Sequence, residues 1–403
     1  MQQMQAFLEH IQQLLTTDDF IRSHVIQPQD FTRKRKLTFQ YTWWCMMAHT
    51  GSSLLSEVPL FPIKFENQIP LVSPQAFSKA RNKISYTACE AIFKETIRYL
   101  LPSSVYKGYH LAAVDGSKLL TPDTKSMRKT LGTCGNHTFQ RAGAGISLLY
   151  DPLSDFIINA KLVSVNTSER DTLMELLNEQ PLEKTILLLD RGYPSRELFH
   201  FLNEKKIYYI MRMSNGASTP KYIRDSVLKD QIAADNKDAN LTQRILRIPL
   251  SNHTEELLVS NLLEEAFTIE DFKYLYHLRW PVETKYDELK NKWILEKFTG
   301  SSIQSVYQDF YNLLIKANIT AYFRMISRKD APKSKGYPKK IGIQASIKFL
   351  QYYLPKLLCE CNRMCMMETM CMTLRKMLIP IRTARTFPRK KKHTDRKYRH
   401  NLK

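Results

Sequence analysis

Two short apolar runs each end in an aspartate followed closely by a glycine. Leu111-Ala-Ala-Val114 leads into Asp115-Gly116-Ser117, and Thr185-Ile-Leu-Leu-Leu189 leads into Asp190-Arg191-Gly192-Tyr193. Runs this short, with no polar alternation, suit strands buried on both faces of an α/β sheet. Ligands in such sheets gather at the carboxyl ends of the strands, where both aspartates fall. A glycine there removes Cβ bulk beside the carboxylate and allows close approach of a ligand. Hard divalent cations such as Mg²⁺ take carboxylate oxygen, with water and phosphate completing the shell. An aspartate after a strand also commonly caps the next helix, so neither run alone decides the matter.

The rest of the chain fills in around those two strands. Residues 1–105 read as helical, with apolar spacing in Met4–Leu15, Leu37–Met47 and Thr87–Leu100. Ser73 is a good N-cap, Pro74 fits the first helical position, and Lys79, Arg81 and Lys83 follow. That segment fits the recognition helix of a helix-turn-helix unit, or else an ordinary basic surface helix. Gly143–Tyr150 and Asp155–Val163 flank Asp151-Pro-Leu-Ser154 as a hairpin. Helices are expected at Ser168–Leu177 and Pro194–Leu202, with a strand at Ile207–Met213. Three strands in a meander followed by alternating helices and strands predict a mixed sheet with flanking helices. Residues 214–266 interrupt it with polar turns and strand-like runs at Gln243–Pro249 and Glu255–Leu262, a β-rich insertion. Thr268-Ile-Glu-Asp271 has the form of a capping box, and helical spacing continues to about Lys297 with Pro281 inside it. Residues 301–380 are helical and basic, and 381–403 form a basic tail.

Charge points to the partner. Lys and Arg number 60 against 39 Asp and Glu, a net +21. An excess of that size favours a polyanion, because neutralising phosphates releases counterions. A basic ribosomal-type or membrane-surface protein would share it. The start of the chain lacks a basic n-region and a cleavage site, and no apolar run approaches the roughly 18 residues that span a bilayer. The expectation is a soluble protein with no membrane partner. The seven cysteines show no metal-finger spacing.

A third acidic element lies at residues 276–290. Tyr276, Arg279, Glu283 and Lys290 are spaced 3, 4 and 7 apart. At about 100° per residue they fall within roughly a 60° arc of one helix. That face carries a carboxylate, two cations and a phenol, the groups suited to a phosphodiester held by metal ions. Pro281 can instead start a second helix, leaving only the Glu283–Lys290 relation. Asp287 and Glu288 are rival acids, and a solvated charged face is the bland reading.

The segment matches the Y-x2-R-x3-E-x6-K signature at all four positions, and with Asp115-Gly-Ser and Asp190-Arg-Gly-Tyr the chain resembles bacterial insertion-sequence transposases of the DDE superfamily. The resemblance spans about residues 105–300 closely. It implies a ribonuclease-H-like catalytic domain at 106–300, an N-terminal DNA-binding domain at 1–105 that includes Lys79, Arg81 and Lys83, and the helical region and tail beyond. Asp115, Asp190 and Glu283 are then the catalytic metal-binding triad, holding two Mg²⁺ or Mn²⁺ ions. Tyr276, Arg279 and Lys290 are contacts to DNA phosphates near the cut end. The implied partners are double-stranded DNA, as terminal inverted repeats and target, and a second copy of the chain on DNA. The implied place is the bacterial cytoplasm, at the nucleoid when bound. A metal nuclease of other purpose, and a DNA-binding protein whose catalysis has decayed, remain alternatives.

Other features read as structural. Cys359, Cys361, Cys365 and Cys371 lie among methionines and fit helical core packing better than zinc. Cys134-Gly-Asn-His137 reads as a loop. Trp280 and Trp293 read as core side chains. Thr167-Ser-Glu-Arg-Asp171 resembles a segment common in the family, and helix capping explains it equally. The tail, with ten Lys or Arg and one Asp in Arg382–Lys403, suits DNA contact.

Overall fold

The computed structural model describes residues 1–381 apart from 34, 137–138, 215, 217–218, 236, 251–254, 330–337 and 361–362. The basic tail, His137 and Cys361 therefore lie outside the described residues. Four longer helices lead the chain: α1 (Gln2–Leu14), α2 (Phe39–Ala48), α3 (Pro74–Arg81) and α4 (Tyr86–Leu100). Ser73 caps α3 by accepting the Ala76 N–H, with Pro74 in the first turn, as the sequence predicts.

The sheet follows. β1 (His110–Leu120), β2 (Gln140–Asp151) and β3 (Phe156–Val163) form an antiparallel meander. Helix α5 (Glu169–Glu179) leads to β4 (Thr185–Leu189), and α6 (Arg196–Glu204) leads to β5 (Tyr208–Arg212). β4 is parallel to β1, and β5 is parallel to β4. The mixed sheet with flanking helices expected for a ribonuclease-H-like fold is present. The insertion supplies β6 (Asp230–Asp235), β7 (Asp238–Pro249) and β8 (Glu255–Ser260). These extend the same sheet, because β8 pairs antiparallel with β5. The spatial order is β3-β2-β1-β4-β5-β8-β7-β6, with a short strand at Thr133–Gly135 on the far end of β2.

Two layers of apolar side chains cover this sheet. On one face Ala112, Val114, Leu187 and Leu189 pack with Leu173, Leu177, Leu198 and Leu202 of α5 and α6. On the other face Leu111, Ala113, Ile186 and Leu188 join a core shared with α1, α2, α4 and the helices after the insertion. Those are α7 (Ile269–His277), α8 (Pro281–Asp287), α9 (Ile303–Lys329), α10 (Ile343–Cys359) and α11 (Arg363–Lys376). The N-terminal and C-terminal helical regions, expected as separate units, therefore share one core with the sheet.

The reason lies in α9, which buries side chains around its whole circumference, including Val306, Tyr311, Asn312, Leu313 and Ile315. Asn318 accepts the Ile157 N–H at 2.9 Å and donates to the Ile157 carbonyl at 3.0 Å, fixing α9 to β3. The methionine-rich α11 buries Met367, Met370 and Cys371, while Cys365 is exposed.

Arg81 requires a correction. The sequence placed it beside Lys79 and Lys83 as a DNA contact, but it points inward and is 3% exposed. Its guanidinium pairs with Asp309 at 2.7 Å and donates to Gln308 at 2.8 Å and the Ser305 carbonyl at 2.9 Å. A short helix cannot present residues 79, 81 and 83 to one side, since i and i+2 face apart. Arg81→Ala removes a buried guanidinium and leaves the partly buried Asp309 with only its Thr299 donors, and should destabilise the chain by about 2–3 kcal/mol. Urea unfolding should show that loss, with Lys79→Ala within about 0.5 kcal/mol of wild type. Equal stability of the two variants would place Arg81 on the surface.

Candidate active site

Register decides where the aspartates stand. Ala113 aligns with Leu188 across the parallel β1–β4 pair. Asp115 and Asp190 each lie two residues beyond, so they reach the same level on adjacent strands. Alternation puts both on the face of Ala113 and Leu188. That face is covered by Phe272, Tyr276, Val282, Tyr286 and Leu289 of the segment following the insertion.

The segment is not one helix. Thr268 opens α7 with the predicted capping box, completed by Asp271. α7 ends at His277, and Pro281 sits in the first turn of α8. A π-turn at Glu288–Lys292 follows. The break still leaves the four signature side chains around the ends of β1 and β4. The Tyr276 hydroxyl donates to Asp190 Oδ1 at 3.3 Å. Arg279 pairs with Glu283 at 2.9 Å. The Lys290 ammonium donates to Ser117 Oγ at 2.7 Å and to the Lys118 carbonyl at 2.6 Å.

The rival acids go elsewhere. Asp287 is exposed and accepts from Asn291 at 2.5 Å, while Glu288 is buried against Lys285 at 3.2 Å.

One cation serves all three signature carboxylates. The Arg279 charge acts on Asp115, Asp190 and Glu283, and Arg279 itself is 5% exposed. Burial pushes the Asp115 carboxyl up to about 6, with Glu283 and Glu169 adding to the rise. Arg279 and the Gly116 N–H oppose that rise. Burial likewise raises Glu256 on β8, whose partner Arg212 lies at 3.6 Å. Asp115, Asp190 and Glu283 are hard oxygen donors, and like charges at one strand end favour a bound cation. Their chemistry fits a divalent ion. Among the described residues no three acidic or imidazole groups stand close enough to hold one as they are. Arg279 supplies the compensating charge in this arrangement.

Several residues at this site escaped the sequence. Glu169 opens α5, within a segment that resembles one common in the family and that helix capping explains equally. Tyr193 belongs to the Asp190-Arg-Gly-Tyr run yet had no assigned role. Its side chain is 1% exposed, and its hydroxyl has no hydrogen-bond partner among the described residues. Tyr286 donates to the carbonyls of Asp115 at 2.7 Å and Ile146 at 3.2 Å, holding α8 to β1 and β2. Trp293 is buried as expected, but Trp280 is 55% exposed beside Arg279 and is no core side chain.

Two basic clefts open on the surface of the molecule. One, of about 720 Å³, runs from Arg170 and Arg191 to Lys221, Arg224 and Lys237 of the insertion. The other, of about 1240 Å³, places Lys79 and Lys83 on a wall with Arg33, Arg35 and Lys36. Lys83 is also paired with Asp30 at 2.9 Å.

A mixed sheet with acids at the ends of two adjacent parallel strands, faced by a third acid on a helix, defines a metal-dependent phosphoryl-transfer enzyme of ribonuclease-H-like build. The sequence matches the family described as transposase DDE domain over residues 106–319, and the chain belongs to that family. It is a transposase, a DNA-cutting and DNA-joining enzyme that works with divalent metal ions. The chain is 25% identical over 347 residues to the transposase InsG for insertion sequence element IS4 of Escherichia coli (strain K12). That match covers 78% of this chain and 75% of the relative. The fold is similar to a piggyBac transposase solved as a synaptic complex with hairpin DNA. The TM-score is 0.51 and the identity 12%, over 94% of this chain and 87% of the other. No helix among the described residues is long and apolar enough to cross a membrane.

A charge cluster around Lys285 adds to the contacts that position α8. Lys285, 2% exposed, pairs with Asp155 at 2.7 Å and Glu288 at 3.2 Å. Asp155 also takes Arg324 at 2.7 Å and the Tyr150 hydroxyl at 2.8 Å. Lys285→Met leaves Glu288 buried and uncompensated and should cost about 3–5 kcal/mol in urea unfolding. Asp287→Ala, on the exposed side of the same helix, should cost less than about 0.5 kcal/mol. A Lys285→Met loss below about 1 kcal/mol would mean that α8 is held by its apolar face alone.

Proposed function

We propose that this chain is the transposase of an insertion sequence, binding terminal inverted repeats, cutting DNA at them and joining the freed ends to target DNA. Asp115, Asp190 and Glu283 are its catalytic triad and hold two Mg²⁺ or Mn²⁺ ions. The observation that carries this reading is the equal level of Asp115 and Asp190 on adjacent parallel strands, with the Glu283 charge acting on Asp115. When bound, such ions activate water or a DNA 3′-hydroxyl for in-line attack and steady the leaving oxygen.

The chain's own groups then divide the work. Tyr276 holds Asp190 through its hydroxyl and fixes the direction of that carboxylate. Arg279 holds Glu283 before DNA arrives. A phosphate offers Arg279 a forked, doubly bonded partner, which releases Glu283 toward the ions. Lys290, at the end of β1, presents a point charge to the neighbouring phosphate. The two basic clefts carry DNA phosphates. Arg33, Arg35, Lys36, Lys79 and Lys83 line one, and Arg170, Arg191, Lys221, Arg224 and Lys237 line the other. Two element ends must meet before joining, so the acting form is a homodimer on DNA in the bacterial cytoplasm.

The decisive assay is Mg²⁺- or Mn²⁺-dependent cleavage of DNA carrying the element ends. Asp115→Ala should lose cleavage by roughly 10³-fold or more, the several kcal/mol that metal-held charge contributes at a transition state. Its DNA binding should stay within a few-fold of wild type. Equal products from wild type and Asp115→Ala would end the catalytic assignment. Cut ends that are never joined would make the protein a nuclease rather than a transposase.

A further inference from the structure

Glu169 belongs to none of the signature motifs, yet its carboxylate lies against the first of them. Ser168 caps α5, and Glu169 is its first residue. A Cβ built at Gly116 would stand 2.6 Å from the Glu169 carboxyl carbon and 3.0 Å from its Cγ. Gly116 has the parity of Ala112 and Val114, so its absent side chain would point to the face where α5 packs. The space that Gly116 leaves is therefore filled by the Glu169 carboxylate, whose charge acts on Asp115 next to it. The adjacent residue fixes the approach. Arg170 donates from Nε and Nη2 to the Gly192 carbonyl at 3.1 and 3.0 Å, tying the start of α5 to the loop after Asp190. The beginning of α5 is thus held to both acidic motifs.

A second observation points to something bound there. The Tyr193 side chain is buried, and its hydroxyl has no hydrogen-bond partner among the described residues. A buried hydroxyl without a partner costs about 1–3 kcal/mol. Its electrostatic neighbours are Glu169, Asp115 and Asp190, with Arg279 beyond them. A donor surrounded by carboxylates that it does not touch suits a water held by an ion between them.

We infer that Glu169 is a fourth carboxylate of the metal site, bound to the ion shared with Asp115 directly or through one water, with Tyr193 donating to that shell. The inference rests on the reading of Asp115 as a metal ligand. The rival is structural: a glutamate in the first turn of a helix is stabilising there whatever lies nearby. That role predicts a small loss of stability and no effect on metal.

Mn²⁺ titration followed by electron paramagnetic resonance separates these roles. The titration uses the full chain with a duplex carrying the element end, alongside thermal melting in chelator. Glu169→Gln should weaken Mn²⁺ binding by roughly 10-fold or more, the range seen when a group ordering a metal site is lost. Glu169→Asp should recover part of it. In chelator, the melting temperature of Glu169→Gln should stay close to wild type. Unchanged Mn²⁺ affinity in Glu169→Gln, with binding lost in Asp115→Asn, would overturn this inference alone. Unchanged affinity in both variants, or no Mn²⁺ bound by wild type with DNA, would overturn the metal assignment of Asp115 and this inference with it.

Discussion

The alignment of β1 with β4 is the constraint on which the site depends. Because the pair is parallel and Ala113 meets Leu188, two aspartates 75 positions apart in the chain end at one height. A slip of one residue would send one of them to the opposite face. That register is held by burial on both sides. Ala112, Val114, Leu187 and Leu189 pack on α5 and α6, while Leu111, Ala113, Ile186 and Leu188 pack on the opposite core. The apolar runs that make the strands recognisable also lock the acids in place. Fold and site share one cause here.

The same core explains why the helical flanks cannot be read as independent attachments. α9 packs on β3, at one side of the sheet, and meets α4, α10 and α11 as well. Arg81 reaches across to Asp309 on α9, and Arg324 of α9 reaches Asp155 beside Lys285. The helix that carries Glu283 is thus connected through buried charges to the hairpin and to the C-terminal part of the chain. Buried ion pairs of this kind give little net stability, but removing either member is costly. They fix the relative placement of parts more than they add to the whole.

The sequence made the elements legible where local chemistry dictates them. The capping residue Ser73, the capping box at Thr268 and Asp271, the hairpin around Asp151–Ser154 and the apolar strands all depend on neighbours within a few positions. What it hid depends on three-dimensional partners. Arg81 reads as a surface cation because Asp309 is 228 residues away. Trp280 reads as core because tryptophan usually is, but the break before Pro281 turns it to solvent. The insertion announced β7 and β8 by their texture, while the polar β6 and the pairing of β8 with β5 could not be read from spacing. Glu169 was hidden by a sufficient local explanation, since a glutamate after a serine cap already makes sense as a helix start.

The electrostatics tie these levels together. Asp115, Asp190, Glu283, Glu169 and Glu256 bring five carboxylates near one strand end, and Arg279 with Arg212 supplies the nearest positive charge. Such a site tolerates neither the full set of charges alone nor a rigid partner that never leaves. An arginine in the break between two helices meets both demands, because its long side chain can exchange a carboxylate for a phosphate without moving the backbone. Its position at the junction of α7 and α8 follows from the proline that ends one helix and begins the next. The break that obscures the signature in the sequence therefore sets Arg279 where it pairs with Glu283 while its charge also acts on Asp115 and Asp190.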